Sequence, residues 1–136
     1  MATLPESVKR WLDGGASVEL VVVDLARVVV RTSVVAEYDG DDLLMAVPEG
    51  GAVHHALIYD PQATVLITAL TAAGVPRGSK VEVRGEVEMT TAGAAELRVR
   101  TDGTVEPGAA WLVVRVIPTA VEMRDGSAGG AAPSGS

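Results

Sequence analysis

The chain has 136 residues, 48% hydrophobic and 21% charged, which is one globular domain's worth with a core of its own. Its formal charge of −7, with 11 lysines and arginines spread along the whole length, argues against DNA, RNA or an anionic membrane as the main partner, since those demand clustered cations. It has no cysteine, so disulfides, thiolate metal sites and cysteine nucleophiles are excluded as well.

Valine and alanine dominate the apolar stock and phenylalanine is absent. Valine is stiff at its first side-chain torsion and suits a pleated surface, so the bias favours sheet. The few aromatics (Trp11, Tyr38, Tyr59 and Trp111) are scattered and form no base-stacking platform. The opening "MATLPESVKR" lacks the apolar core of a signal peptide and no apolar run reaches membrane-spanning length, so a cytoplasmic location is expected.

Thr3-Leu4-Pro5-Glu6 has the form of a capping box, and Leu4, Val8, Trp11 and Leu12 then fall on one helical face until Gly14-Gly15 stops the helix. Residues 17 to 47 carry three valine-rich runs, divided by Asp24-Leu25-Ala26-Arg27 and by Asp39-Gly40-Asp41, a strong local hairpin signal. Val21-Val22-Val23 and Val28-Val29-Val30 do not alternate with polar residues, so both faces of those strands should be covered, within a barrel, under a helix or against a second chain. Ala52 to Tyr59 reads as a two-turn helix that buries Val53, Ala56 and Leu57 and ends before Asp60-Pro61.

Residues 63 to 70 read as a buried strand, followed by a loop with Gly74, Pro76 and Gly78. In "KVEVRGEVEM" charged residues alternate with Val81, Val83, Val87 and Met89, broken at Gly85, which marks a half-exposed antiparallel strand. A short helix near residues 92 to 100 and a last strand bent at Pro118 complete the domain, residues 1 to 124. Residues 125 to 136, "DGSAGGAAPSGS", read as a disordered tail. The element order does not alternate strand and helix, so the expectation is a mainly β antiparallel barrel with short helices.

The two histidines, His54 and His55, are adjacent on the expected helix and therefore point about 100° apart, which disfavours a shared metal. Gly50 and Gly51 can offer backbone N–H groups to a phosphate at the start of that helix, where the dipole favours an anion. Asp39, Asp41 and Asp42 fit a hairpin tip better than a calcium loop, and Glu82, Glu86 and Glu88 fit a solvated strand face. No side chain stands out as a catalytic acid, base or nucleophile.

Taken in order, "LPESVKRWLDG", "AEYDGDDLLMAV", "HHALIYDPQATVLI", "SKVEVRGEVEMT" and "LVVRVIPTAVEM" resemble the pyridoxamine 5′-phosphate oxidase-like split barrels, over about residues 4 to 123. The likeness is to the branch that uses FMN or the deazaflavin coenzyme F-420. It implies a six-stranded split barrel, a homodimer, and two cofactor sites at the subunit interface. It implies too that the cofactor carries the hydride to or from a small organic substrate while the protein binds and orients. Carried over residue by residue, the cofactor-binding set is Arg31, Thr32, Ser33, Gly50, Gly51, Val53, His54 and His55, with no catalytic or metal-ligating side chain.

Departures from the family pattern are concentrated at that site. The arginine or lysine that usually grips the cofactor phosphate is replaced by Gly51-Ala52-Val53, and a frequent asparagine by Ala56. The usual Thr-Pro-Val-Trp becomes Thr32-Ser33-Val34-Val35, and the helix near the C-terminus is shortened. A cofactor-less dimer acting as a ligand-binding or interaction module is the alternative, and haem, with His54 or His55 as axial ligand, a third.

Overall fold

The computed structural model describes residues 2–70, 76–102 and 110–125. Its elements are α1 (Glu6–Asp13), β1 (Ser17–Val23), β2 (Val29–Val34), β3 (Ala36–Asp39), β4 (Asp42–Pro48), α2 (Ala52–Tyr59), β5 (Gln62–Leu70), β6 (Pro76–Thr90), α3 (Ala94–Asp102) and β7 (Trp111–Asp125). All strand pairs are antiparallel, in the order β2-β1-β5-β6-β7-β4-β3. β2 and β3 are the two opposite edges of this sheet, yet only Val35 separates them in the chain. One residue spans a few ångströms, so the sheet must curl until its edges meet. The result is a barrel split at that seam.

Among the described residues seven strands stand where six were expected, because the second valine run breaks at Val35 into β2 and β3. The hairpin at Asp39-Gly40-Asp41 forms as expected, with Asp39 opposite Asp42. At the Asp24 turn the Val28 N–H donates to Asp24 Oδ1 at 2.9 Å. Pro76 and Gly78, expected in a loop, lie within β6, where Pro76 pairs with Leu70. Asp125, expected to begin the tail, ends β7 instead, and Gly74 and the rest of the expected tail, 126–136, lie outside the described residues.

Period-two burial places Leu20, Val65, Ile67, Val81, Val83, Val114 and Val116 inside, each fully buried. Val8 of α1 and Leu4 just ahead of it enter the core, and α2 adds Val53, Ala56 and Leu57 to the same core. The capping box at Thr3 does not form. Pro5 is the N-cap, without a side-chain cap, and the Leu4 N–H is taken by Asp41 Oδ1 at 3.1 Å. A contact from the β3–β4 hairpin thus holds the chain just ahead of the helix. The Tyr38 hydroxyl, which donates to Asp13 at 3.0 Å, also straps α1 to β3, and that bond holds the phenol above its ordinary pKa.

A smaller apolar cluster lies on the other face of the sheet, with Ala46 and Val113 beneath Ala94 and Leu97 of α3. Among the described residues nothing covers the outer side of the β1–β2 hairpin, where Val23, Val28 and Val29 are exposed.

β6 and β7 are the longest strands, and their register slips between Arg84 and Gly85. Arg84 faces Ala120 while Gly85 faces Pro118, so Thr119 is the extra residue of a β-bulge. Its hydroxyl donates to the Arg84 carbonyl at 3.2 Å. Pro118, with no N–H to lose, suits this point, and its carbonyl accepts from the Ala2 N–H at 3.0 Å.

Candidate functional site

The corner between β4 and α2 is built by two glycines. Gly50 sits at φ +80°, in the left-handed region that favours glycine, and Gly51 is the N-cap of α2. No acidic residue lies in the first turn of the helix and no basic residue in the last. The Gly50 N–H donates to His54 Nδ1 at 2.8 Å, and the Gly51 N–H donates to the Pro48 carbonyl at 3.3 Å. Both glycine N–H groups thus have partners inside the corner. The donors left for an anion are those of the first helical turn, at Ala52, Val53 and His54.

With Nδ1 accepting, the neutral His54 ring carries its proton on Nε2. His55 is exposed, and its ring stacks on that of His54 with centroids 6.1 Å apart and an interplanar angle of 14°. Among the described residues no group of three potential metal ligands exists. Val53 is 7% exposed and belongs to the core, so it offers a ligand its backbone rather than its side chain. Replacing His54 with alanine should cost about 1 kcal/mol, the worth of one ordinary hydrogen bond. Chemical denaturation checks the stability, and faster amide exchange at Gly50 identifies the lost bond.

The β2 residues divide between the two faces of the sheet. Thr32 pairs with buried Leu20 on the barrel side, the side on which α2 packs against β1, β2 and β4. Arg31 and Ser33 point the other way, into an open basin of about 510 Å³ that they share with Glu19, Lys80 and Arg124. Arg31 lies 3.7 Å from Glu19. Arg124 is tied to Glu122 at 3.0 Å and to Glu82 at 3.3 Å, which hold its pKa above the ordinary value, Glu122 foremost. Lys80 has no carboxylate partner among the described residues.

The structure therefore brings Thr32, Gly50, Gly51, His54 and His55 to the α2 side, and sets Arg31 and Ser33 on the opposite face of the same strand. Lys80 and Arg124 are additional members of the basin. Their only sequence signal is long-range, the β6–β7 register that places Lys80 opposite Arg124.

No family model matches the sequence, and no curated protein matches it either. Solved structures do. An F420 reductase is 20% identical, covering 88% of this chain and 98% of its own, with a TM-score of 0.70. A heme binding protein from Mycobacterium smegmatis is 18% identical, covering 92% of this chain and 56% of its own, with a TM-score of 0.66. A pyridoxamine 5′-phosphate oxidase-related, FMN binding protein from Nostoc punctiforme is 8% identical, covering 93% of this chain and 83% of its own, with a TM-score of 0.65. Identities this low carry architecture and no more. The split seam at Val35, the flanking helices and these superpositions agree: the chain has the split-barrel fold of the pyridoxamine 5′-phosphate oxidase-like proteins.

Proposed function

We propose that the chain binds a flavin-type cofactor, FMN or the deazaflavin F-420, as a homodimer and transfers hydride between it and a small organic substrate. The carrying observation is the fold, shared over nearly nine-tenths of the chain with an F420 reductase and with an FMN binding protein. The uncovered valines of the β1–β2 hairpin support the dimer, since a second copy would remove them from water.

The corner fits a phosphate through neutral donors only. The first-turn N–H groups of α2 and the Nε2–H of His54 would face it, and Thr32 lies on the same side of the sheet. Arg31 and Ser33, on the other face, would meet a cofactor only where a second copy closes over the basin. When bound, the cofactor supplies the hydride chemistry; the side chains described here hold and orient it.

Each missing charge-assisted contact costs about 1.5–3 kcal/mol, or one to two decades of affinity. Fluorescence titration of the protein with FMN, and separately with F-420, should therefore show saturable but weak quenching, further weakened by Arg31→Ala. Absence of saturation with either, at concentrations where the protein stays folded and dimeric, would defeat the redox proposal.

A second reading has its own observation. Both glycine N–H groups are already bonded within an uncharged corner, which is the arrangement expected of a split barrel that no longer grips a phosphate. Such a dimer would serve as a ligand-binding or interaction module. A reducible flavin retained by the purified protein would rule it out.

A further inference from the structure

α3 covers only part of the sheet face it packs on. Between it and strands β4, β6 and β7 lies a cavity of about 310 Å³, at the small end of the range of ligand pockets, ~300–1,000 Å³. Its apolar walls are formed by Leu44, Leu97 and Val113, and its polar rim is made by Glu88, Arg100 and Arg115.

Both rim arginines are committed. Arg100 donates to Glu37 through Nε at 3.1 Å and Nη2 at 3.2 Å. Arg115 spans the β3–β4 hairpin, with Nη1 2.8 Å from Asp42 and Nη2 3.1 Å from Asp39. Glu88 stands directly opposite Arg115 in the β6–β7 register, yet the guanidinium is turned away towards the hairpin. Among the described residues the Glu88 carboxylate has no ionic or hydrogen-bonding partner.

The two guanidinium groups of the rim are already neutralised from outside the cavity, by Glu37 and by Asp39 with Asp42, so Glu88 is the charge left over. An anion entering here would have to break an existing ion pair. A cation finds a free carboxylate beside an apolar slot.

We propose that the α3 cavity is a binding site for a small organic ammonium, its aryl or alkyl body between Leu97 and Leu44 and its charge at Glu88. This site is separate from the glycine corner and does not depend on any cofactor there.

Amide NMR titration of the full chain with three probes of like size tests it: phenethylammonium, neutral phenethyl alcohol and anionic hydrocinnamate. The ammonium should saturate, shift the amides of Thr90, Gly93 and Leu97, and bind tightest of the three. Glu88→Gln, on an exposed strand position where the fold should persist, should weaken the ammonium about tenfold, as loss of one charge-assisted hydrogen bond predicts, and leave the alcohol unchanged. Tighter binding of hydrocinnamate, an unaltered ammonium affinity in Glu88→Gln, or no saturable shift near α3 would each overturn the proposal.

Discussion

Gly85→Ala is expected to lower stability by about 3 kcal/mol, the upper range for forcing atoms into a packed interior. A Cβ on Gly85 would run into the Ile117 carbonyl oxygen, and would come within 2.8 Å of the Ile117 carbonyl carbon and 2.9 Å of Val116 Cγ1. Two of those neighbours are backbone, so no rotamer change relieves the clash, and β7 must shift against β6 at the bulge. Equilibrium urea unfolding measures the loss. Gly93→Ala is the comparison: unlike Gly85 it sits at positive φ, +78°, but in open space, so backbone strain alone should cost only about 1–2 kcal/mol. If Gly85→Ala unfolds at the wild-type midpoint, the close approach of the two strands at the bulge is wrong.

Leu57→Ala should be comparably damaging, at about 2–5 kcal/mol. Leu57 is fully buried and is the largest side chain by which α2 enters the core; Val53 and Ala56 add less volume. The effect should reach the corner as well. With α2 loosened, the His54–Gly50 bond loses its fixed geometry, and the Gly50 amide should exchange faster than the lost global stability alone explains. Ile58→Ala, one residue on but 62% exposed, should stay within about 0.5 kcal/mol of wild type. Equal losses at the two positions would mean that the helix does not present the face described.

Local chemistry made several elements legible in the sequence. Pro61 ends α2, Asp39-Gly40-Asp41 turns a hairpin, and the alternation around Gly85 marks β6 with its irregularity in place. The residues that failed to reveal themselves depend on partners far along the chain. Thr3 matches a capping box, but the helix starts after Pro5, and the chain ahead of it is held at Leu4 by Asp41, from a hairpin some 37 positions away. Valine propensity runs unbroken through Val35, whereas barrel closure needs the chain to change edges at that residue. At the site, motif matching grouped Arg31, Thr32 and Ser33 by adjacency, although a strand sends neighbours to opposite faces. The Gly50–His54 bond and the free Glu88 carboxylate require a fixed backbone and a fixed register before either exists.

The sheet order has a consequence for how the chain comes off the ribosome. β4 is hydrogen-bonded on one side to β3 and on the other to β7, whose residues lie about 70 positions further along. The hairpin of β3 and β4 can form early, but its inner edge has no partner until the last strand has been made. Most of the translation time thus passes with an apolar edge, Leu43 to Val47, open to other nascent chains. Synthesis rate and chaperone supply should therefore govern the yield of folded protein more than the stability of the finished barrel does.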